Sequence, residues 1–299
     1  MRTLLLGANG QLGFDIQAAN SATGSRLAIT PVGRAQADLE DLERTTLLLR
    51  NTPFDLLINC SSYHKTDEVE RNAQRAFVIN AHLVQRLAEI CAEKQARFVH
   101  FSTDYVFGGN EKREPFSESD PKAPLNVYGA SKAMGEDLAL QVGSDMLILR
   151  VASLFGVAGS SGKGGNFVET MIRFGRERGE LRVVADQVMS PTATADVADA
   201  LLNLVHRDAE AGVYHVVNSG GASWHEFACR IIELAGVDAR VVPITTAEFA
   251  AVAKRPRYSV LSTAKVDGVI GPMRTWENAL ESYLQIKGYR AVAKRAGSG

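Results

Sequence analysis

The chain has 299 residues and a formal net charge of -1, from 33 basic and 34 acidic side chains. This length can bury a large core, either as one α/β unit or as two fused lobes. The balanced charge argues against a nucleic-acid-binding protein, which normally carries a basic excess, and no stretch is apolar for long enough to cross a bilayer.

A glycine turn follows the first apolar run, at residues 3–6. Gly7, Gly10 and Gly13 are spaced G-x-x-G-x-x-G, with Gln11 and Leu12 between the last two. Glycine permits a tight turn and lets backbone amides approach a pyrophosphate at a helix N-terminus. By itself, such a triplet belongs to a plain glycine loop about as often as to a dinucleotide-binding turn. Its position between a predicted strand and a predicted helix favours dinucleotide binding.

Short apolar runs then alternate with helical patterns through the first half of the chain. This alternation is typical of an α/β protein whose parallel sheet is covered on both faces. The predicted strands are 3–6, 27–32, 56–60, 98–101 and 146–151, and the predicted helices are 11–19, 42–50, 75–93 and 127–141.

The pattern changes after residue 151. Residues 156–165 form a loop rich in glycine and serine, too polar for a core and too long for a simple connection. Helices are predicted at 167–178, 195–206 and 224–235, and strands at 181–184 and 213–217. We expect residues 1–150 to form a dinucleotide-binding domain, with about 186–218 returning to it, and 151–299 to form mainly a smaller lobe. The basic tail at 291–299 is expected to fray.

Cysteine usage and the first residues indicate the compartment. Only six residues precede Gly7, which leaves no room for the apolar region of a signal peptide. Cys60, Cys91 and Cys229 are odd in number and widely spaced, which suits a reducing environment. We therefore expect a cytoplasmic protein. Because the chain has neither Cys-x-x-Cys nor His-Glu-x-x-His, no metal centre is predicted.

Tyr128 and Lys132 are four residues apart in a predicted helix and so share one face. A free phenol titrates near pH ~10, and a nearby ammonium lowers its pKa. The tyrosine can then exchange a proton with a carbonyl or alcohol oxygen. Thr103, after the fourth strand, offers a hydroxyl to the same oxygen. A Tyr-x-x-x-Lys pattern alone is frequent by chance, so the prediction depends on the glycine turn as well.

Two further segments are candidates for the cofactor site. Arg34 follows the second strand, where proteins that prefer NAD usually carry an acid for the ribose 2′-hydroxyl. An arginine there suits a 2′-phosphate, so NADPH is favoured and NADH stays open; the alternative is a solvated surface arginine. Ser61, Ser62 and Tyr63 follow a buried strand at the end where open α/β sheets bind ligands. Small residues there could instead serve only close packing.

Basic and polar residues in the second half are candidates for the substrate site. Lys163 and Asn166 lie in the glycine-rich loop and its exit, and suit a phosphate or a sugar hydroxyl. Arg255 and Arg257, with Lys254, form a basic cluster suited to a nucleotide diphosphate. The alternative for such a cluster is a solvated face. The two tryptophans, at positions 224 and 276, are predicted to be packing residues.

Taken together, these motifs resemble the extended short-chain dehydrogenase/reductase superfamily and, more narrowly, the dTDP-4-dehydrorhamnose reductase family. The segments that carry the narrower resemblance are spread over most of the chain. They are residues 7–13, 58–63, 102–107, 124–129, 163–167, 186–187, 191–192 and 255–256.

The resemblance implies a Rossmann-type doubly wound sheet with a C-terminal nucleotide-sugar lobe. It implies that Tyr128 donates a proton, that Lys132 holds the nicotinamide ribose and lowers the tyrosine pKa, and that Thr103 lies beside the substrate carbonyl. Further implied contacts are Asp104 with the substrate, and Asp38, Leu39 and Cys60 with the cofactor. Asp38 or Asp41 has the alternative role of capping the next helix.

The implied reaction is NADPH-dependent reduction of the 4-keto group of a dTDP-4-keto-6-deoxy sugar, with dTDP-4-dehydro-L-rhamnose favoured. Some relatives serve as non-catalytic regulatory subunits, but the presence of all three catalytic side chains favours an enzyme. A 4-ketoreductase or epimerase of another nucleotide deoxysugar is a third alternative. Some members form dimers bridged by Mg²⁺, so a homodimer and a Mg²⁺ ion stay open.

Overall fold

The computed structural model describes residues 1–33, 36–110, 112–158 and 165–289. Its strands are β1 (Arg2–Leu6), β2 (Ala28–Val32), β3 (Leu56–Asn59), β4 (Arg97–Thr103), β5 (Met146–Val151), β6 (Leu154–Phe155), β7 (Glu180–Val184), β8 (Val188–Met189), β9 (Thr192–Ala193), β10 (Gly212–His215), β11 (Ala222–Ser223) and β12 (Arg240–Ile244). Its helices are α1 (Gln11–Ala22), α2 (Leu42–Asn51), α3 (Thr66–Arg71), α4 (Ala73–Phe77), α5 (Leu83–Lys94), α6 (Val127–Val142), α7 (Phe167–Arg178), α8 (Thr194–His206), α9 (Trp224–Leu234), α10 (Thr246–Phe249), α11 (Ala264–Ile270) and α12 (Trp276–Ile286).

The centre of the fold is a six-stranded sheet in the order β10-β5-β4-β3-β1-β2, in which every neighbouring pair is parallel. The predicted α/β class with a parallel sheet is confirmed. The strand order reverses between β1 and β3, and open sheets of this kind bind ligands outside the carboxyl ends of the strands at such a point. The site is therefore to be sought beyond Leu6 and Asn59.

Helices cover both faces of this sheet because successive strand residues point to opposite sides. Leu5 lies in a buried cluster with residues of α1 and α8, whereas the adjacent Leu4 lies in a cluster with residues of α2 and α5. Burial on both faces explains why the strands are almost continuously apolar in sequence.

A second apolar core, called here the second core, is formed by α7, β7, α9 and α12. β7 pairs in parallel with β12 beside it. Trp276 is buried in the second core and Trp224 packs against it, so the predicted packing roles of both tryptophans are confirmed.

The structure differs from the sequence prediction in several elements. The predicted helix at 75–93 is α4, a π-helical turn (Val78–His82) and α5 in succession. The sequence analysis missed α3, α10, α11, α12 and β12, as well as β6, β8, β9 and β11. These last four strands have two residues each and form by pairing between distant segments, β6 with β9 and β8 with β11. A run of two residues carries no periodicity that a sequence can reveal. The tail at 291–299 lies outside the described residues.

Among the described helices, none is long and apolar enough to cross a membrane.

Candidate active site

The glycine turn connects β1 to α1 at the carboxyl edge of the sheet. Gly7 has a φ of 76°, in the left-handed region that favours glycine, and its carbonyl accepts the Gly10 backbone N–H at 2.9 Å. A Cβ at position 13 would lie 2.5 Å from that same carbonyl oxygen, so α1 can approach the turn only because Gly13 has no side chain. Gly10 caps α1 without a side-chain hydrogen bond, which leaves the first helical N–H groups to a ligand.

The turn also approaches the end of β3. A Cβ on Gly7 would lie 3.1 Å from the Cys60 carbonyl carbon and from the Ser61 nitrogen. The backbones of two strand ends therefore meet where the sheet order reverses, with no bulky side chain between them. Such a bare backbone cradle, beside the start of α1, fits the diphosphate of a dinucleotide.

Asn80 holds the segment that follows β3. Its Oδ1 accepts the Tyr63 backbone N–H at 2.9 Å and the Ser62 hydroxyl at 3.2 Å, and its Nδ2 donates to the Tyr63 carbonyl at 2.9 Å and to the Ser131 hydroxyl at 3.1 Å. Asn80 lies in the π-helical turn, a feature frequent at functional sites. It therefore ties the predicted cofactor segment to α6, which carries Tyr128. The sequence analysis missed it, although a polar residue in an apolar helical pattern was a usable signal.

Several predicted cofactor residues lie together. Leu39 and Tyr128 both pack against a small buried cluster that contains Tyr63. Asp41 caps α2, because its side chain accepts the Arg44 backbone N–H at 2.9 Å. The capping interpretation is thus confirmed for Asp41.

The exposed Asp38 accepts the Glu40 backbone N–H at 3.1 Å. Burial raises the pKa of the Cys60 thiol, which favours its neutral form. Arg34 and Lys163 lie outside the described residues, so their predicted roles remain predictions.

Tyr128 lies in the first turn of α6. Asn126 caps this helix by accepting the Gly129 backbone N–H at 2.8 Å. A Cβ on Gly129 would collide with the Tyr105 carbonyl oxygen, so glycine allows α6 to close on the turn that follows β4. The rings of Tyr105 and Tyr128 meet edge to face, with centroids 5.8 Å apart. The phenol is thereby placed beside the end of β4.

The Tyr128 phenol is more basic than the sequence analysis expected. Burial raises the pKa of Tyr128 to about 12, against the opposing effect of hydrogen bonds with Thr103 and Ser62. The amine of Lys132 is bonded to His100 and to the Phe101 carbonyl on β4, and its predicted effect on the pKa of Tyr128 remains a prediction. A phenol with this pKa is fully protonated at neutral pH, which is the form that donates a proton.

Lys132 is 1% exposed and points to β4. Its Nζ lies 2.5 Å from the Phe101 carbonyl oxygen and 2.9 Å from His100 Nε2. Burial lowers the pKa of Lys132 to about 7, although the charge of Glu136 acts in the other direction. His100 was missed from the sequence. A histidine inside an otherwise apolar, fully buried strand was the signal that could have found it.

Thr103 and Asp104 form a buried hydrogen-bonded group. The Thr103 hydroxyl donates to Asp104 Oδ1 at 3.0 Å and accepts the Tyr105 backbone N–H at 3.2 Å. The Ser259 hydroxyl donates to Asp104 Oδ2 at 2.6 Å, and burial raises the pKa of Asp104 to about 6. The structure therefore gives Asp104 a positioning role toward Thr103. Ser259, which the sequence analysis missed, joins this group from a distant segment.

A buried ion pair lies one helical turn beyond Lys132. The Arg150 guanidinium donates to both carboxylate oxygens of Glu136, at 2.7 and 2.9 Å, and the two side chains are 3% and 0% exposed. Burial alone would raise the pKa of Glu136, but the hydrogen bonds and charge of Arg150 outweigh it and lower that pKa. The pair fixes α6 on β5.

The basic cluster is anchored beside α6. Arg255 Nη2 lies 3.0 Å from Asp67 Oδ2, and its Nη1 donates to the Ala253 carbonyl at 3.0 Å. The Lys254 carbonyl accepts the Asn126 side chain at 2.7 Å, so this segment lies at the end of α6 that bears Tyr128. The other candidate of the cluster, Arg257, is exposed.

Asn166 has protein partners for its whole amide group. It caps α7 by accepting the Glu169 backbone N–H at 3.0 Å, and it donates to the Gly156 carbonyl and the Tyr283 hydroxyl at 3.0 and 3.1 Å. These contacts give it a structural role, while its predicted contact with substrate remains a prediction. Within the described ranges, no group of three or more His, Cys, Asp or Glu side chains could hold a metal ion.

Comparisons with known proteins match nearly the whole chain. A family model described as the RmlD substrate binding domain matches residues 1–288. The spore coat polysaccharide biosynthesis protein SpsK of Bacillus subtilis is 35% identical over 285 residues, which are 95% of this chain and 97% of that protein. The dTDP-4-dehydrorhamnose reductase of Burkholderia thailandensis is 36% identical over 278 residues, 88% of this chain and 90% of that protein. The crystal structure of dTDP-4-dehydrorhamnose reductase from Bacillus anthracis in complex with NADP matches with a TM-score of 0.88 at 36% identity, covering 95% of this chain and 99% of that one.

Proposed function

Because this chain belongs to the dTDP-4-dehydrorhamnose reductase family, the family of the RmlD substrate binding domain, we propose that it reduces dTDP-4-dehydro-L-rhamnose to dTDP-L-rhamnose with NADPH. The observation that carries the proposal is the meeting of Tyr128, Thr103 and Ser62 at the carboxyl edge of the sheet, beside the glycine turn. A proton donor and a dinucleotide cradle at one edge are the parts that a carbonyl reductase needs.

The cofactor site proposed here follows the carboxyl edge from β2 to β4. The turn of Gly7, Gly10 and Gly13 would hold the diphosphate against the start of α1, where Gln11 and Leu12 lie. The adenosine half would lie toward Asp38, Leu39 and Arg34, and the nicotinamide half toward residues 60–63, Tyr128 and Lys132. The preference for NADPH rests on the sequence position of Arg34 and on the NADP in the Bacillus anthracis relative.

When bound in the cradle of Gly7, Gly10 and Gly13, NADPH would supply a hydride for C4 of the sugar. The protein must then deliver a proton to the oxygen on C4. Tyr128 holds its proton at neutral pH, because burial raises its pKa to about 12. The Thr103 hydroxyl donates to Asp104 Oδ1, so it can donate to the oxygen on C4 only after its proton turns from that carboxylate to the substrate. Asp104 and Ser259 fix the orientation of the Thr103 hydroxyl. Tyr128 is the group proposed to give its proton to the sugar oxygen.

The nucleotide sugar is proposed to lie between the edge of the sheet and the segment of Arg255 and Arg257. The hydrogen bond from Asn126 to the Lys254 carbonyl supports this placement, because it holds the segment at the end of α6 that bears Tyr128. Planar guanidinium groups suit the oxygens of a diphosphate. Lys163 and Asn166 stay proposed as further contacts.

A division into two lobes accompanies this placement. Residues 1–150, with about 186–218, would bind the dinucleotide, and 151–299 would mainly hold the substrate. The pairing of β10 with β5 and the packing of α8 on the central sheet support the return of the later segment. The second core supports a separate lobe.

The test is turnover by wild-type protein and by Tyr128→Phe. With NADPH and dTDP-4-dehydro-L-rhamnose, the wild type should consume the absorbance of reduced nicotinamide, and more slowly with NADH. Tyr128→Phe should lose at least 100-fold in kcat, because general acid catalysis contributes about 10²–10⁴-fold, and should bind NADP nearly as well as the wild type. Wild type and variant that both bind the cofactor but are equally inert would contradict the proposal and favour a regulatory subunit.

A further inference from the structure

Asp67, in the short helix α3, holds the segment that carries Arg255. Its Oδ1 accepts the Ala253 backbone N–H at 3.0 Å, and its Oδ2 accepts from Arg255 Nη2 at 3.0 Å. Arg255 Nη1 donates to the Ala253 carbonyl at 3.0 Å, and the ring of Phe249 lies 5.9 Å from the guanidinium carbon. The Arg255 side chain is 18% exposed. These contacts fix the guanidinium in one orientation.

Arg255 keeps donors for a ligand. A guanidinium has five N–H groups, and the contacts with described residues use two of them. A planar set of donors held in place matches the oxygens of a phosphate. An arginine without such contacts would lose conformational freedom when the ligand binds, which weakens binding. Asp67 orders the guanidinium before the substrate arrives.

The charge of Asp67 acts against this effect, because a carboxylate repels an anionic ligand. Burial alone would raise the pKa of Asp67, but the hydrogen bonds of Arg255 and Ala253 outweigh it and lower that pKa. The carboxylate is therefore ionised at neutral pH. Its side chain is 45% exposed, so water screens the repulsion. We expect the ordering of Arg255 to outweigh it.

Arg255 also lies near the proposed proton donor. Burial raises the pKa of Tyr105, the charge of Arg255 opposes this shift and the charge of Asp67 adds to it. Both side chains are thus within electrostatic reach of the Tyr105 phenol. The Tyr105 ring meets that of Tyr128 edge to face, with centroids 5.8 Å apart.

The same short helix holds the start of α6. Glu70 lies three residues after Asp67, and its Oε2 accepts the Val127 backbone N–H at 3.0 Å. Val127 is the first residue of α6, and Tyr128 is the second. Two carboxylates of α3, one helical turn apart, therefore connect the segment of Arg255 to the turn that bears Tyr128.

We propose that Asp67 and Glu70 are positioning residues that set the separation between Arg255, at the substrate diphosphate, and Tyr128, at the sugar oxygen. This inference rests on the proposed function. In a nucleoside diphosphate sugar the diphosphate is attached to C1, and C4 lies across the six-membered ring. The substrate thus fixes the separation of the two groups, and the protein must match it. Asp67 acts on binding through Arg255, and Glu70 acts on turnover through the start of α6.

The first test is the affinity for dTDP, measured by calorimetry. Arg255→Ala should weaken binding about tenfold, because it removes a charged donor. Asp67→Asn keeps the size of the side chain, but its single amide oxygen can accept from only one of the two donors, so binding should weaken about fivefold. In the Arg255→Ala background, Asp67→Asn should change the affinity less than about twofold. Asp238→Asn, at an exposed residue before β12, is the control for a lost negative charge.

Three results of this test would overturn the proposal. Tighter binding by Asp67→Asn would show that the carboxylate competes with the ligand for the guanidinium. An equal loss with and without Arg255 would show that Asp67 acts independently of it. An unchanged affinity would show that the guanidinium needs no positioning.

The second test separates substrate binding from turnover. Asp67→Asn should raise the KM for the nucleotide sugar about fivefold and leave kcat and the KM for NADPH within about twofold. Glu70→Ala should instead lower kcat about tenfold, because Tyr128 is less well placed, and leave the dTDP affinity unchanged. Glu70→Gln should restore kcat, because its amide oxygen can accept the Val127 N–H. The same effect from Asp67→Asn and Glu70→Ala would mean that α3 contributes only to folding, and would overturn the proposal.

The wild type distinguishes a failure of this inference from a failure of the proposed function. A wild type that neither binds dTDP nor reduces the sugar contradicts both. A wild type that does both, while Asp67→Asn binds dTDP equally well, contradicts this inference alone.

Discussion

The protonation of Lys132 predicts an unusual pH dependence of stability. Burial lowers the pKa of Lys132 from 10.5 to about 7 in the folded protein, whereas in the unfolded chain the lysine is exposed to water. Between these two values the unfolded chain binds a proton that the folded protein does not. Unfolding therefore takes up a proton, and the free energy of unfolding rises with pH through this window.

The size of the effect follows from the linkage. Each full proton changes the free energy of unfolding by about 1.4 kcal/mol per pH unit. Between pH 7.5 and 9.5 almost one proton is involved over two pH units, so Lys132 should add about 2.5 kcal/mol to the stability of the wild type. Lys132→Met removes this group. The difference in stability between wild type and Lys132→Met should therefore rise in favour of the wild type by that amount.

The measurement is urea unfolding at pH 7.5, 8.5 and 9.5, followed by the fluorescence of Trp224 and Trp276. The comparison uses only how the difference in stability between wild type and Lys132→Met changes with pH. In Lys132→Met, His100 and the Phe101 carbonyl lose their hydrogen-bond partner, and this loss costs the same at each pH. It therefore cancels from the comparison. Lys265→Met, at an exposed lysine of α11, serves as the matched control for losing a lysine. A difference between wild type and Lys132→Met that stays level with pH would refute the reasoning, because it would mean that the folded protein carries an ammonium here.

Three further substitutions test other parts of the site. Gly13→Ala should weaken NADP binding at least tenfold in calorimetry, because the added Cβ would collide with the Gly7 carbonyl oxygen. Gly268→Ala, at a position with open space around it, is the control. Equal NADP affinities of the two variants would contradict the proposed cradle. Glu136→Gln should lower the free energy of unfolding by about 3–5 kcal/mol in urea, because it leaves the buried Arg150 charge unpaired, and a loss below 1 kcal/mol would argue against that burial. Asn80→Asp removes two buried hydrogen-bond donors, so the free energy of unfolding should fall by about 1–3 kcal/mol and NADP should bind more weakly. Unchanged thermal unfolding would show that these hydrogen bonds contribute little.

Local patterns in the sequence were enough for the elements that surround the site. The alternation of apolar runs with helical patterns predicted the parallel sheet, and the glycine spacing predicted the turn before α1. The four-residue separation of Tyr128 and Lys132 predicted that they share a helix face. All three depend on neighbours within a few residues, and such short-range constraints can be read directly from sequence.

The chemistry of those residues was decided only by the tertiary structure. Lys132 was expected to lower the pKa of Tyr128, yet it bonds to His100 and to the Phe101 carbonyl, and burial raises the tyrosine pKa. The groups that set these pKa values and hydrogen bonds come from other strands and from distant segments of the chain. The two-residue strands of the second half likewise form only when distant segments pair. A pKa depends on desolvation and on every group within a few ångströms. Spacing along one helix cannot reveal either quantity, because both are created when remote segments pack together.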